Sequence, residues 1–316
     1  MPAERPPAPD DGAGVLILHN SRSGKAVVRA DPLPRIRERL RAAELREIGE
    51  DETLDDIVAG AFASPHPPRA LGILGGDGSV SRMAHLARGR GVPLLVLAGG
   101  TFNHFARTAG VGEIDDALAA FARGRQRAVA VAEAAVDGGE PITVLNALSL
   151  GAYPQFLAER TRRGDLGKWL GGAAAAVREL RGARPIAISR DDRHARVWSV
   201  FVGVGRNDPE RHAMMQRVTL DEPVLDVRVH HARGSRLRAM TSLAFGRRSI
   251  AVLRALRLTP PASEFERTVT PEWSIRVGPD AAPDVFVHDG ELEHVSRDGF
   301  TLSVRAVPDA LRIFAR

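Results

Sequence analysis

The sequence predicts an α/β domain with a parallel sheet over residues 14–127, followed by a β-rich antiparallel sandwich over residues 128–305. In the first part, apolar strand patterns alternate with helical patterns and end in polar loops, which is typical of a parallel sheet. Later, apolar and polar residues alternate with few helices between them, which indicates antiparallel strands. We expect residues 1–13 to be a disordered tail and residues 306–316 to pack back on the first domain.

The composition is that of a globular protein with a modest positive charge. Of the 316 residues, 44% are hydrophobic and 26% are charged, and the formal net charge is +5. The absence of cysteine excludes disulfides, thiolate metal sites and cysteine nucleophiles. No apolar run approaches the ~20 residues of a membrane-spanning helix. We find no nucleic-acid-binding motif and therefore expect no nucleic-acid partner.

The first strand pattern, Val15–His19, leads through a polar turn into a helical pattern. Apolar residues recur at helical spacing and predict a helix over about 33–48. In the turn, Ser23 and the amides around Gly24 could hold a phosphate, for which the compact ammonium of Lys25 is suited. On spacing alone, a solvated loop lysine is an equally good interpretation.

The glycine-rich loop after the second strand pattern is the most informative stretch. A strand pattern beginning at Leu71 ends in Gly75-Gly76-Asp77-Gly78-Ser79, and a helical pattern follows. Glycines leave backbone N–H groups uncovered, and together with the start of a helix they form an anion-binding concavity. A tight strand-to-helix turn is the alternative, because Gly and Asp are common in turns.

A third strand pattern, Pro93–Leu97, also ends in glycines and a hydroxyl, with Gly100, Thr101 and Asn103 in its loop. Ligands bind at the carboxyl ends of parallel strands. Three such loops therefore predict a ligand site at this edge of the sheet.

The rest of the chain is predicted to be mostly strands. Strand patterns cover residues 128–136, 142–150, 196–204, 224–229, 273–277, 285–287 and 300–304. Helical patterns interrupt them at about 166–180 and 237–256. Residues 308–314 are predicted to form a short helix.

The chain contains four motifs in this order: Asn20-Ser-Arg-Ser-Gly24, Gly75-Gly-Asp-Gly-Ser79, Gly100-Thr-Phe-Asn-His-Phe-Ala106 and the late Asp289-Gly290-Glu291. In order and spacing they resemble the diacylglycerol kinase catalytic-domain family, which includes bacterial lipid kinases and sphingosine kinases. Its nucleotide domain is similar to those of NAD kinases and phosphofructokinases. The Gly-Gly-Asp-Gly motif is shared with NAD kinases, whereas the third and fourth motifs point to the lipid branch.

This resemblance implies ATP-dependent transfer of the γ-phosphoryl group to a lipid hydroxyl, in the cleft between the two domains. Asp77 would act on Mg²⁺ or on the acceptor hydroxyl. Phosphoryl transfer mainly needs positioned phosphates, Mg²⁺ and a carboxylate at the attacking hydroxyl. From the resemblance and from the loop chemistry together, the residues expected to bind the nucleotide are Asn20, Ser23, Gly24, Lys25, Gly75, Gly76, Asp77, Gly78, Ser79, Gly100, Thr101 and Asn103.

The identity of the general base stays open between two places in the chain. The lipid-kinase branch implies Asp289 or Glu291, whereas the sphingosine-kinase branch implies Asp77. We favour the late triplet. From the residues alone, Asp289-Gly290 is also the strongest short signal for a hairpin turn.

The sequence departs from the family pattern at several positions. Ser81 and Arg82 stand where the family usually has Asn and Glu. Bacterial members often carry a structural Mg²⁺ near an Asp-Asp-Gly-Leu-Leu-Asp stretch, but here Glu222-Pro223 replaces Asp-Gly. Asp221 and Glu222 are the residues that could still bind this ion through oxygen.

We therefore expect a lipid kinase that uses ATP and Mg²⁺ on a diacylglycerol-like or sphingoid alcohol. Its partner would be that lipid alcohol at a membrane surface, and its location the cytoplasm, peripheral to the inner face of the membrane. The sequence leaves open whether two copies form a homodimer. Two alternatives remain: an NAD kinase-like kinase of a soluble metabolite, and a nucleotide- or membrane-binding regulator without turnover.

Overall fold

The computed structural model of the chain describes residues 11–20, 31–100, 103–151, 184–207, 217–233, 262–280 and 282–316. The helices predicted at 166–180 and 237–256 lie outside these residues. The chain divides into two compact units. Unit 1 comprises Met1–Val131, Thr219–Glu222 and Val307–Arg316, and unit 2 comprises Ala132–Val218 and Pro223–Ala306.

Unit 1 contains a parallel sheet whose strands are joined through helices. The elements are β1 (Val15–His19), α1 (Leu33–Arg39), β2 (Glu44–Glu47), α2 (Leu54–Ala63), β3 (Ala70–Gly75), α3 (Asp77–Arg90), β4 (Leu94–Ala98), α4 (His104–Thr108) and α5 (Ile114–Ala122). Four of the strands lie in the order β2-β1-β3-β4, and each pairs with its neighbours in parallel. Every residue of β1, β3 and β4 is buried, as expected for a parallel sheet covered on both faces.

Unit 2 consists mainly of antiparallel strands. They are β5 (Gln126–Val136, which begins in unit 1), β6 (Ile142–Val144), β7 (Ala147–Gly151), β8 (Ile186–Arg190), β9 (Arg193–Val204), β10 (Leu225–His231), β11 (Phe265–Thr270), β12 (Glu272–Val277), β13 (Val285–His288), β14 (Glu291–His294) and β15 (Phe300–Phe314, which ends in unit 1). Neighbours follow the order β14-β13-β7-β9-β8-β12-β15, while β10 pairs with β9 and β11. In β12 the residues are alternately exposed and buried, which places Trp273, Ile275 and Val277 in the core.

The helix predicted over 33–48 is wrong in its second half. Helix α1 ends at Arg39, and Leu40 has a non-helical backbone (φ −120°, ψ 66°). Residues Glu44–Glu47 instead pair in parallel with residues 16–19 of β1. The residues of this segment are good helix formers but adopt an extended backbone, because pairing with β1 at the edge of the sheet outweighs their weak intrinsic preference for a helix.

The helix predicted over 308–314 is also wrong, because β15 continues as a strand to Phe314. Leu311 and Ile313 are buried while Arg312 between them is exposed, which is the period of a strand. Ile313 pairs in parallel with Leu94 of β4. A local helical spacing was therefore overridden by a partner strand far away in the chain.

The predicted fold class is confirmed. The first part of the chain has the parallel sheet and the alternating helices, and the later part is rich in antiparallel strands.

Candidate active site

The three predicted ligand loops follow neighbouring strands of unit 1. Asn20 follows β1 and is exposed, Gly76 follows β3, and Gly99 follows β4. These strands are parallel and adjacent, in the order β1-β3-β4. Their carboxyl ends therefore place Asn20, Gly76 and Gly99 at one edge of the sheet, as expected for a ligand site in this type of fold.

The loops after β3 and β4 are in direct backbone contact. The amide of Gly99 donates a hydrogen bond of 2.9 Å to the carbonyl of Gly75. A Cβ built on Gly100 would lie 2.6 Å from the Cα of Gly76, a distance that real Cβ atoms do not tolerate. Glycine is thus required for this close approach of two main chains.

The loop after β3 opens directly into the N-terminus of α3. Gly76 is the N-cap residue and carries no side chain that could cap the helix. The first amides of an α-helix have no partner within the helix and form its positive end. The first turn of α3 therefore provides N–H groups of the kind that bind phosphate.

Asp77 is the first residue of α3 and is half-buried. Its Oδ1 accepts a long hydrogen bond of 3.4 Å from the amide of Phe105, in α4. A carboxylate at a helix N-terminus is favoured by the helix dipole. Asp77 thus places a negative charge within the predicted phosphate loop and links that loop to α4.

Asn103 is buried and uses its side chain within its own loop. Its Oδ1 accepts a hydrogen bond from the amide of Gly100, and its Nδ2 donates one to the Gly100 carbonyl, each of 2.9 Å. Its backbone is left-handed, with φ 50°, which asparagine adopts more readily than most residues. Asn103 therefore holds Gly100 in place against Gly76.

Four of the predicted nucleotide residues, Ser23, Gly24, Lys25 and Thr101, lie outside the described residues. Their assignment stays a prediction.

The two departures in α3 have structural roles. Ser81 is buried, with 1% of its surface exposed. The Nε of Arg82 donates a 2.8 Å hydrogen bond to Asp55 of α2, and its Nη2 bonds the other oxygen of the same carboxylate. Arg82 thus joins α2 to α3.

Asp289 lies in a two-residue hairpin turn, which is the structural alternative drawn from the sequence. β13 and β14 pair with His288 opposite Glu291, and Asp289 and Gly290 between them have φ 48° and 95°. Positive φ at both central residues is the pattern of tight hairpin turns with Asp-Gly. The turn and a functional role are compatible, because the Asp289 carboxylate points to a second loop.

Three backbone amides bind the carboxylate of Asp289, which is only 7% exposed. Its Oδ2 accepts a hydrogen bond of 2.7 Å from the Leu145 amide. Its Oδ1 accepts bonds of 2.7 Å from Asn146 and 3.2 Å from Ala147. The carboxylate is therefore fixed in position by charge-assisted hydrogen bonds, whereas Glu291 is exposed at the start of β14.

The predicted metal residues Asp221 and Glu222 do not form a cluster of ligands. Both oxygens of Asp221 accept hydrogen bonds from the guanidinium of Arg127. Over the described ranges, no three His, Asp or Glu side chains come together in a way that could hold a metal ion. The metal site at Asp221 and Glu222 stays a prediction without a supporting arrangement.

A buried ion-pair network lies on β10 and β11. Asp226 has no exposed surface and accepts hydrogen bonds from Arg228, from Arg267 and from the amide of Asn207. Burial alone would raise the pKa of Asp226, but the bonds from Arg267 and Arg228 outweigh it and hold that pKa below its ordinary value. Asp226 is therefore the counterion of two arginines.

A cavity of 570 Å³ in unit 2 contains none of the predicted site residues. Its lining includes Glu133, Arg190, Trp273, Ser303 and Arg305. Arg305 bonds Glu133 through its Nε at 2.7 Å.

Sequence reasoning missed the amides of residues 145–147, which bind Asp289. Backbone amides have no signature in a sequence, and these lie more than a hundred residues before Asp289 in the chain. Asn146 interrupts an apolar strand pattern and is a sign that β6 and β7 are separate strands.

Comparison with known proteins supports the resemblance drawn from the motifs. Residues 14–134 match the family model of the diacylglycerol kinase catalytic domain. This result confirms the resemblance and supports a kinase as the class of enzyme. A search of curated proteins found no significant match.

The fold is similar to those of solved structures from Bacillus anthracis strain Sterne. A diacylglycerol kinase is 18% identical, with a TM-score of 0.58 and coverage of 96% of each chain. A second structure, provisionally described as a diacylglycerol kinase, is 19% identical, with a TM-score of 0.59 and coverage of 96% of this chain and 97% of the other. At these identities the likeness concerns the fold.

A search for membrane-spanning segments was negative in the part of the chain that the structure describes. None of its helices has the length and the apolar character needed to cross a bilayer.

Proposed function

We propose that the chain is a lipid kinase that transfers the γ-phosphoryl group of ATP to a hydroxyl of a diacylglycerol-like or sphingoid lipid. The observation that carries this proposal is the backbone contact between the two glycine loops, at residues 75–76 and 99–100, within a region that matches the diacylglycerol kinase catalytic domain.

The phosphates of ATP would lie at the N-terminus of α3. The N–H groups of its first turn and the uncovered backbone of Gly76 are suited to oxyanions. A side chain at Gly100 would fill the space in which the two loops meet. Unit 1 therefore orients the phosphoryl group, and positioning is the main requirement of phosphoryl transfer.

Asp77 is the residue that would hold Mg²⁺, together with the phosphates themselves. Mg²⁺ is commonly bound through one or two carboxylates plus substrate phosphates. One half-buried carboxylate in the loop fits that requirement. The ion would supply positive charge to the phosphoryl oxygens.

Asp289 is the stronger candidate for the general base. Its carboxylate is held by three amides and would accept the proton of the attacking lipid hydroxyl. Fixing both oxygens reduces the motion that otherwise has to be frozen during the reaction. Glu291 is exposed and is the second candidate.

The lipid acceptor and a peripheral position at the membrane belong to this proposal. They are supported by the family that residues 14–134 match and by the third and fourth motifs.

The test is phosphoryl transfer from γ-labelled ATP to lipids in mixed micelles with Mg²⁺. The full chain is compared with Asp77→Asn, which removes the charge while retaining the shape. Asp51→Asn, a substitution of an exposed aspartate in the same unit, is the matched control. We expect a labelled, chloroform-soluble product, a loss of about 10²-fold or more in Asp77→Asn, and wild-type activity in the control.

Parallel reactions distinguish the alternatives. Label on NAD⁺ but on no lipid would replace the lipid acceptor with a soluble one. ATP binding without transfer to any acceptor would identify a regulator and overturn the proposal.

A further inference from the structure

One peptide group lies between a buried arginine and the carboxylate of Asp289. It joins Leu145 to Asn146. Its carbonyl oxygen accepts a 2.8 Å hydrogen bond from Nη1 of Arg217. Its N–H, on Asn146, donates a 2.7 Å hydrogen bond to Oδ1 of Asp289. The arginine and the carboxylate thus bind the two ends of the same amide.

The next peptide group, from Asn146 to Ala147, serves as an internal comparison. Its carbonyl accepts a 2.8 Å bond from a neutral donor, the amide of Val204. Its N–H also binds Oδ1 of Asp289, but at 3.2 Å. Of the two amides that bind Oδ1, the one whose peptide group is bonded to a cation therefore makes the shorter bond.

The contact with Arg217 is expected to strengthen the bond from the Asn146 amide. A hydrogen bond from a charged donor polarises a peptide group, and hydrogen bonds in a chain strengthen one another. Arg217 is only 3% exposed, so solvent screens this effect little.

The position of Arg217 is fixed by unit 2. It forms an antiparallel bridge with Asn207, and the Val218 amide donates a hydrogen bond to the Arg206 carbonyl. Asn207 also donates its amide to Asp226, the counterion of two other arginines. The guanidinium is therefore carried by backbone at residues 217–218 that pairs with residues 206–207.

We propose that Arg217 is a positioning residue for the general base. By binding the Leu145 carbonyl, it orients the amides that hold Asp289 and strengthens the Asn146 bond. The contacts stand by themselves, while the catalytic consequence rests on the proposed function, with Asp289 as the base.

The experiment compares Arg217→Met and Arg217→Lys with Arg228→Met in the full chain. Arg228 is also buried, but it bonds Asp226 and Asn207 rather than the 145–147 loop. Three quantities are measured, namely the hydrogen exchange of the 145–147 amides without ligand and the kcat and KM of phosphoryl transfer.

We expect exchange at Asn146 to be about tenfold faster in Arg217→Met and less affected in Arg217→Lys. The kcat should fall by about tenfold with KM for ATP unchanged, and Arg217→Lys should recover part of it. Arg228→Met should lower thermal stability but leave these amides protected at temperatures well below its midpoint. If Arg217→Met does not fold, the Arg217→Lys variant alone tests the proposal, because lysine retains the charge but not the forked geometry of the guanidinium.

Unchanged exchange at 145–147 in both Arg217 variants would overturn the proposal. If the wild-type chain transfers no phosphoryl group, the proposed function fails, but the exchange comparison still tests whether Arg217 holds this loop. If exchange changes while kcat does not, Arg217 holds the loop without positioning a base.

Discussion

The glycine loops of unit 1 and the Asp289 turn of unit 2 are built in opposite ways. Around Gly100 the shape depends on an absent side chain, because a Cβ added there would lie 2.6 Å from the Cα of Gly76. Around Asp289 it depends on a side chain that binds three amides. The first region is sensitive to added atoms and the second to removed atoms.

The difference follows from what each region has to hold. A phosphate group is itself large and charged, so a protein can bind it with bare backbone amides. A base that accepts a proton has to bring its own charge and keep it in one orientation. The same contrast indicates which substitutions should damage each region.

Removing the Asp289 charge should have the largest effect. We expect Asp289→Asn to lower kcat by about 10²–10⁴-fold, the range for loss of a general base. Asparagine tolerates the left-handed backbone at this position, so the turn should persist. The measurement is the steady-state kcat of Asp289→Asn compared with that of Glu291→Gln, whose kcat should stay close to the wild-type value. A large loss only in Glu291→Gln would make Glu291 the base.

Removing Asp226 should weaken unit 2 without acting on the site. Asp226→Asn leaves Arg228 and Arg267 without their counterion, which should cost about 3 kcal/mol of unfolding free energy at neutral pH. The lowered pKa of Asp226 in the folded state means that its contribution is complete above the unfolded value of about 3.9 and is lost as pH falls through the folded value.

Urea unfolding between pH 3 and 7 measures this contribution. The gap in unfolding free energy between wild type and Asp226→Asn should be constant above pH ~4 and shrink below it. A gap that widens at acid pH would contradict the role of Asp226 as an ionised counterion.

Adding one carbon to the glycine loops tests the other side of the comparison. Gly100→Ala should force the loop away from Gly76 and weaken ATP binding, with a loss of transfer of about 10²-fold. Gly89→Ala is the control, because its Cβ would meet nothing within 4 Å in α3. The control should gain about 0.5–1 kcal/mol of stability. The measurement is the Kd for ATP, determined by calorimetry. A wild-type Kd in Gly100→Ala would show that ATP binding does not need the close contact between the loops.

The smallest effect is expected at Arg82. Arg82→Met removes a half-exposed ion pair with Asp55, which should cost no more than about 1 kcal/mol in thermal unfolding. Kinetic constants should not change, since Arg82 serves to join two helices. A severalfold increase in KM for ATP would instead place Arg82 in the nucleotide site.

Much of unit 1 could be predicted because its signals are local. The strand patterns and the run Gly75–Ser79 are contiguous, and parallel neighbours necessarily bring their loops to one edge. Residues 44–47 and 308–314 were predicted wrongly because their structure depends on partner strands elsewhere in the chain.

The Asp289 environment shows a second limit. The motif identified the residue, but its contacts depend on the pairing of β13 with β7, where Val287 lies opposite Ser149. That register brings the carboxylate to the amides of residues 145–147. A sequence pattern does not fix a register between segments so far apart.

The long strand β15 has a consequence for biosynthesis. Its residue Ile313 pairs with Leu94, and Phe314 packs on Phe121 with ring centroids 4.7 Å apart. At ordinary translation rates, Leu94 would leave the ribosome on the order of tens of seconds before that partner is made. During this interval the β4 edge of unit 1 would have an open backbone, which invites pairing with other chains. The nascent protein would therefore be exposed to misassembly until residue 313 has been synthesised. A chaperone that covers the β4 edge would prevent wrong pairing during this interval.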